Sequence, residues 1–297
     1  MTAVHAMPGY SGPAQALAAA LGLPCHDIAA HRFPDGESLV RVAPADDIVF
    51  LYGSLDDPND KLIELMLAAS AFRDGGAARL VLVAPYMCYM RQDIAFHAGE
   101  AVSQRVVGRF LAGLFDRIVT VDPHLHRTPD LAEVFVGCET TVLSAAGLLS
   151  AAIEAEGGLD QDPILIGPDA ESRQWVEAVA GPLQAEVLIG EKLRQGDRQV
   201  RIDLPDPARV DGRTTLIVDD LVSSGVTLSV CAARLRDAGA ARIEALAVHA
   251  LCGDDDLAAM RRAGIDRFRS TDSVVHASNA FSLAPLLAEA LSDEGRS

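Results

Sequence analysis

The sequence predicts an α/β protein whose mostly parallel sheets are flanked by helices, and three observations lead there. Short apolar runs of strand length alternate along the chain with segments of helical periodicity. Several of these runs end in polar turns or in aspartate, the side on which open parallel sheets receive ligands. The same ending recurs in both halves of the chain, as Ala84-Pro85-Tyr86 and Gly167-Pro168-Asp169. Each half also holds a later strand that ends in aspartate, which suggests one domain plan used twice. With 297 residues the chain accommodates two domains, each of about 150 residues on the usual size scale. The boundary is expected where the alanine-rich segment from Ser144 begins, giving domains 1–143 and 144–297.

Strands are expected over Ile48–Tyr52, Leu80–Ala84, Ile118–Asp122, Ile164–Ile166, Glu186–Ile189, Leu216–Asp219 and Ile243–Val248. Between the first two, Leu62, Leu65, Met66 and Ala69 fall on one face of a helix that Gly75-Gly76 closes. The run Leu216–Asp219 leads through Asp220 into Ser223-Ser224-Gly225-Val226-Thr227, a loop of mostly small and hydroxyl-bearing residues. From Thr227 a helix follows, with Leu228, Cys231, Ala232 and Leu235 at i, i+3, i+4 and i+7 and an end at Gly239. A helix start at this loop turns its first N–H groups and the positive end of its dipole toward an anion. Asp219 and Asp220, at the strand's carboxyl end, suit the vicinal hydroxyls of a ribose or a hydrated metal. An ordinary strand-to-helix turn uses the same residue types.

Composition narrows the function classes. Hydrophobic residues make up 49% of the chain, enough for a sizeable core, and the net charge of −17 without a basic tract argues against a nucleic-acid partner. The five cysteines are scattered with no Cys-x-x-Cys spacing, as expected of a reduced, cytoplasmic protein. The apolar run Ala14–Leu23 has no Lys or Arg before Arg32 to open a signal peptide. No apolar stretch has membrane-spanning length, so no membrane partner is expected.

Four further segments carry candidate chemistry. Arg32-Phe33-Pro34-Asp35-Gly36-Glu37 is a turn by its Pro-Asp-Gly core, displaying a ring and two carboxylates; from this segment alone a plain surface turn is the favoured reading. Arg91-Gln92-Asp93 follows a strand and a proline, where Arg91 can pair with phosphate and Gln92 with a base or ribose. Asp122-Pro123-His124 ends another strand, and His124 with His126 has a spacing open to metal binding if the chain there is extended, which Pro123 disfavours. Glu191–Arg201 concentrates Lys192, Arg194, Arg198 and Arg201 in an acidic chain, as a mobile loop carrying charge to phosphate does. A solvated basic turn accounts for the pattern equally.

Taken together, and in the same order along nearly the whole chain, these segments resemble the ribose-phosphate diphosphokinases, the phosphoribosyl diphosphate synthetases. They are Arg32–Glu37, Arg91–Asp93, Val121–His124, Pro168-Asp169, Glu191–Arg194 and Val218–Thr227. The last alone also resembles the loop of type I phosphoribosyltransferases. Gly99–Ser103 and Thr271–Asn279 look more like archaeal-type members. The resemblance implies two phosphoribosyltransferase-like domains, the first on the ATP side and the second on the ribose 5-phosphate side. ATP would lie between the domains and near a neighbouring subunit, in a homodimer or higher homo-oligomer.

By the same resemblance Phe33, Asp35, Gly36 and Glu37 meet the adenine side of ATP from the adjacent subunit, and Arg91, Gln92, Asp93 and His124 bind ATP in their own. His124 and Asp169 place Mg²⁺. Asp219, Asp220, Ser223, Ser224, Gly225, Val226 and Thr227, with Arg194, hold ribose 5-phosphate; Lys192 is the catalytic lysine and Arg194 its partner. The implied reaction transfers the diphosphoryl group of ATP to C1 of ribose 5-phosphate, in nucleotide biosynthesis. Ser223 stands where many members have aspartate, Val226 replaces a usual glycine with loss of backbone freedom, and Glu171 adds charge close to Asp169. A phosphoribosyltransferase would leave Arg32–Glu37 and Lys192–Arg194 unexplained, and a catalytically silent regulatory paralogue would not need Lys192, Arg194, His124 and Asp169.

Overall fold

A computed structural model describes residues 2–125, 127–128, 130–155, 163–195 and 199–294, with backbone alone for 192–195 and 199–200. The chain divides into two compact units: Met1–Ser144 with Ser273–Val275 and Ser282–Ser297, and Ala145–Asp272 with His276–Phe281.

Unit 1 runs β1 (Thr2–Ala6), α1 (Ser11–Leu21), β2 (Cys25–Asp27), β3 (Ala29–Arg32), β4 (Ser38–Arg41), β5 (Ile48–Tyr52), α2 (Pro58–Asp74), β6 (Arg79–Val83), α3 (Ser103–Ala112), β7 (Arg117–Val121) and β8 (Glu139–Leu143). Its parallel sheet has the order β2-β1-β5-β6-β7-β8, while β3 and β4 form a separate antiparallel hairpin. Strands covered on both faces read as unbroken apolar runs, and Leu80, Val81, Leu82 and Val83 are accordingly all fully buried. On α2 the buried stripe is Leu65, Ala68, Ala69 and Phe72. Met66, expected on that face, is exposed; the 3.6-residue period rotates the stripe toward Ala68 and Phe72.

Unit 2 runs α4 (Ala146–Ala155), β9 (Ile164–Gly167), α5 (Arg173–Leu183), β10 (Glu186–Ile189), β11 (Glu191–Gln195), β12 (Gln199–Asp203), β13 (Thr214–Val222), α6 (Val226–Asp237), β14 (Arg242–Ala250), α7 (Asp254–Arg262), β15 (Arg267–Thr271) and β16 (Asn279–Phe281). The parallel sheet order is β10-β9-β13-β14-β15-β16, with β11 and β12 as a separate antiparallel pair. Numbered by appearance, the sheet strands of both units stand in the order second, first, third, fourth, fifth, sixth. Both units also insert an antiparallel hairpin between the second and third strands. The duplication suggested by the recurring strand ends therefore extends to the topology.

The division after Ser144 falls beside the expected boundary, but the chain's end does not follow the expected partition. The last helix, α8 (Ala284–Leu291), packs against α1 in unit 1. Its buried residues Leu287 and Leu291 face that unit's core, and the nearly buried Glu294 accepts hydrogen bonds from Arg79 and Arg117. A helical period reveals a buried face, not which sheet will cover it.

Candidate active site

In unit 2 the strand order reverses between β9 and β13, the topological switch point where open sheets bind ligands. Gly167 ends β9, and a Cβ there would lie 2.7 Å from both Ile189 Cδ1 and Ser172 Oγ. The turn that follows is built by Asp169, whose Oδ1 accepts from the backbone N–H groups of Glu171 at 3.1 Å and Ser172 at 3.2 Å. Its carboxylate is thereby held at the sheet's carboxyl edge, half-buried.

Beside it β13 does not stop at Asp219 but continues to Val222, pairing with β14 as far as Ala250. Successive strand residues face opposite sides of the sheet, so Asp219 and Asp220 do not act side by side as the sequence suggested. Asp220 is buried and Asp219 half-buried. Asp219 and Asp169 share an electrostatic neighbour: burial pushes the thiol of Cys231, on α6, up to about 12, and both carboxylates push it the same way. Both acids thus lie within electrostatic reach of Cys231 on α6.

The loop Ser223-Ser224-Gly225 then opens α6. Gly225 has φ +64, and a Cβ on it would meet Met260 Sδ at 2.8 Å, so both backbone conformation and space demand glycine. Val226, rather than Thr227, is the first helical residue and is exposed. The expected loss of backbone freedom at Val226 is thus absent, because Gly225 makes the left-handed step and Val226 needs only helical dihedrals. No side chain caps α6; its first N–H groups face the edge where Asp169 and Asp219 stand, with Ser223 and Ser224 exposed and Thr227 half-buried beside them. The helical face of Leu228, Cys231, Ala232 and Leu235 is buried as expected.

Lys192 and Arg194 lie on β11, paired across to Ile202 and Val200 of β12. The expected mobile loop is an antiparallel ribbon at these positions, and its centre at 196–198, with Arg198, lies outside the described residues. Two positions apart on one strand, Lys192 and Arg194 have register positions that share a face.

In unit 1 the hairpin of β3 and β4 carries Phe33–Glu37 at its tip. Gly36, at φ +94, donates its N–H to Phe33 O at 2.9 Å, and Asp35 Oδ1 accepts from Glu37 N at 3.2 Å. Every residue from His31 to Glu37 is exposed, and the rings of His31 and Phe33 meet edge to face at 4.8 Å. The tip displays its ring and carboxylates outward, held to α2 by an Arg32–Asp60 ion pair.

The Arg91 loop leaves β6 and is fixed at several points. Tyr86 N donates to Ser54 Oγ at 3.0 Å, Gln92 Oε1 accepts from the N–H and hydroxyl of Ser103 at the start of α3, and Arg127 donates to Asp93 Oδ1 at 2.9 Å. Asp93 is 5% exposed. Of Arg91, Gln92 and Asp93, all expected at ATP, only Arg91 is an exposed side chain. Gln92 is half-buried with its Oε1 on Ser103, and Asp93 is buried against Arg127, a pair it would lose in turning to a ligand. A helix start eleven residues after Gln92 was the one sequence signal for its capping role.

His124 is half-buried just past β7, whose last turn is bent by Asp122 at φ +37. His126 lies outside the described residues, and so does any pairing of it with His124. Among the described residues no group of three or more His, Cys, Asp or Glu side chains is placed to hold a metal, and no helix is long and apolar enough to cross a membrane. All five cysteines are free thiols.

Comparisons with known proteins bear on this arrangement. Residues 5–114 match the N-terminal domain of ribose phosphate pyrophosphokinase, and residues 140–284 match the phosphoribosyl transferase domain. A ribose-phosphate pyrophosphokinase of Methanopyrus kandleri is 36% identical over 88% of each chain. One from Halobacterium salinarum is 33% identical over 94% of this chain and 96% of its own, and ribose-phosphate pyrophosphokinase 2 of Archaeoglobus fulgidus is 34% identical over 95% and 98%. A solved phosphoribosylpyrophosphate synthetase from Mycobacterium smegmatis shares the fold with a TM-score of 0.82 at 24% identity, covering 98% of both chains.

Proposed function

The chain belongs to the ribose-phosphate pyrophosphokinase family, and from that premise we propose that it transfers the β,γ-diphosphoryl group of ATP to the C1 hydroxyl of ribose 5-phosphate. The products are 5-phosphoribosyl 1-diphosphate and AMP. The observation that carries the reading is that Asp169 follows β9, Asp219 lies near the end of β13 and the uncapped start of α6 follows it, all at the switch point of unit 2. The 5-phosphate sits on the N–H groups of the α6 turn with the hydroxyls of Ser223, Ser224 and Thr227, where the helix dipole favours it. Asp219 accepts a hydrogen bond from a ribose hydroxyl, and Asp220, buried beneath, stiffens the strand end.

On the nucleotide, exposed Arg91 pairs with phosphate, and the hairpin tip of Phe33, Asp35, Gly36 and Glu37 contacts the adenine side from a neighbouring copy in a homo-oligomer. The sugar's C1 oxygen attacks the β-phosphorus in line, the bond from that phosphorus to the oxygen of the α-phosphate breaks, and AMP leaves as the hydroxyl proton is released. Such a transfer needs alignment and charge stabilisation more than covalent catalysis. Lys192, with Arg194 beside it, meets that need by holding cationic charge at the diphosphoryl group as charge shifts toward AMP.

Mg²⁺ fits the donor set. This ion characteristically takes one or two carboxylates and completes its shell with phosphate oxygens and water, and Asp169 is a half-buried carboxylate at the sheet edge. Asp169 would hold the ion, and when bound it would neutralise phosphate charge. Free thiols throughout agree with a cytoplasmic setting.

The test is an assay of the purified protein with Mg²⁺, ATP and ribose 5-phosphate, following AMP and 5-phosphoribosyl 1-diphosphate. Formation of both in equal amounts is expected. Folded protein giving no AMP above a sugar-free control overturns the reading.

A further inference from the structure

Among the described residues, the non-glycine positions with left-handed backbone are Asp57, Tyr89, Asp122 and Gln184. Gln184 is an ordinary helix C-cap on α5. The other three follow β5, β6 and β7, adjacent strands of unit 1, on the edge that carries Arg91 and His124. Left-handed conformation is unfavourable for a residue with a Cβ, and its persistence at a strand edge points toward function when the surroundings hold it in place.

Tyr89 is the position of interest, with φ +59 two residues before Arg91. Its neighbours Met87, Cys88 and Met90 are buried, so the backbone on both sides is anchored in the core. Its hydroxyl donates to Asn59 Oδ1 in the first turn of α2. That turn follows Asp57, the strained residue after β5. One residue past Asp60, Lys61 ties the same turn into the unit through Asp56 at 2.8 Å and the Tyr10 hydroxyl at 2.8 Å. The Asn59–Tyr89 bond thus joins two strained corners and leaves Arg91 exposed at the end of a short, doubly fixed arm.

We infer that Asn59 and Tyr89 are positioning residues for ATP: their hydrogen bond sets the direction in which Arg91 meets the nucleotide phosphates. The inference rests on the proposed function of Arg91. A rigid arm spares ATP the entropy of ordering the loop on binding, so loss of the bond weakens ATP engagement without removing a contacting group. Ribose 5-phosphate, bound by unit 2 residues, is left unaffected.

The experiment compares Tyr89→Phe, Asn59→Ala, Asn59→Asp, the Tyr89→Phe/Asn59→Ala double variant and Arg91→Ala by steady-state kinetics, direct ATP titration and thermal melting. Tyr89→Phe and Asn59→Ala are each expected to raise the KM and Kd for ATP about fivefold while leaving the KM for ribose 5-phosphate and the Tm near wild type. The double variant should be no worse than either single one, because both remove the same bond. Asn59→Asp, which keeps an acceptor, should restore ATP affinity. Additive effects, equal changes in both KM values, or Tm falling in step with activity overturn the inference. An Arg91→Ala effect on ATP without a Tyr89→Phe effect overturns it alone, whereas a wild-type protein that binds no ATP, or an Arg91→Ala variant that binds it normally, overturns the proposed function as well.

Discussion

Unit 1 and unit 2 share one topology, yet the switch point between their first and third strands is built in opposite ways. In unit 2 it is polar: Asp169 and Asp219 stand at the edge, and α6 begins without a cap behind the left-handed Gly225. In unit 1 the same place, between β1 and β5, is packed shut. A Cβ on Gly53 would lie 2.7 Å from Met7 Cγ. Next to it the Lys61 ammonium is spent on Asp56 at 2.8 Å, the Tyr10 hydroxyl at 2.8 Å and Ser54 O at 3.2 Å. Burial, reinforced by the hydrogen bond to Asp56, drives the Tyr10 hydroxyl far above the usual phenol range. Unit 1 instead places its exposed polar residues beyond β6 and β7 and on its hairpin. One topology can thus present polar residues at different strand ends in its two copies.

If the hairpins have diverged in the same way, substitutions on them should differ most in effect. Lys192→Ala on the unit 2 hairpin is expected to lower kcat about 10²–10³-fold with ATP affinity changed little, as loss of a transition-state charge contact does. Parallel rapid-kinetic and binding measurements check this, and equal losses in turnover and affinity would make Lys192 a binding residue.

The next effect belongs to the sheet of unit 1. His5 is fully buried on β1 beside Phe72 and His26, with neither ring nitrogen hydrogen-bonded. Burial first, then the His26 charge, lowers its pKa from 6.5 to about 4, against a small opposing pull from Asp46. Above pH 6.5 the ring is neutral folded and unfolded; as pH falls toward 4 the unfolded chain takes up a proton that the folded one refuses. Stability should therefore drop through that window, by up to about 3 kcal/mol from this group. Urea melts of wild type and His5→Phe between pH 7 and 4 test it: the variant should lose less stability across the window, and parallel curves would rule His5 out.

Two substitutions at the unit 2 cradle sharpen the contrast with its closed counterpart. Gly225→Ala forces a Cβ toward Met260 in left-handed backbone and should cost about 1–3 kcal/mol, with a raised KM for ribose 5-phosphate. Val226→Gly, at the neighbouring exposed helical residue, should cost under about 1 kcal/mol and leave that KM within about twofold. Comparable effects at the two positions would show that the left-handed step is not confined to Gly225.

These residues also mark how far the chain could be read unaided. The buried face of α6 follows from its period, because every fourth or third residue must leave water together whatever the partner. The inner strands β5, β6, β7, β9, β13 and β14 were equally legible, since a sheet covered on both faces needs unbroken apolar runs, whereas the inner strands β1 and β15 were not expected. Of the edge strands only β10 was expected; β2, β8 and β16 and the two hairpins were not legible, because many of their residues are half-exposed or polar and their pairing is fixed by long-range partners. Within the candidate site, Arg91, Asp169 and the Ser223–Thr227 loop stood out by chemistry and spacing. The inward roles of Gln92 and Asp93 did not, because Ser103 and Arg127 reach them only after α3 and the segment past β7 have packed.

The sequence by itself determined the α/β class, the repeated plan and the loop that opens α6, which rest on local periodicity and local residue chemistry, and the family followed from the resemblance of its ordered segments. Only the tertiary structure decided that Asp219 and Asp220 face opposite ways, that Lys192 and Arg194 ride on a ribbon, that α8 returns to unit 1 and that Tyr89 is strained beside Asn59. Each of these depends on strand continuation, pairing or packing between residues far apart in the chain, and a contact of that kind leaves no period in the sequence to read.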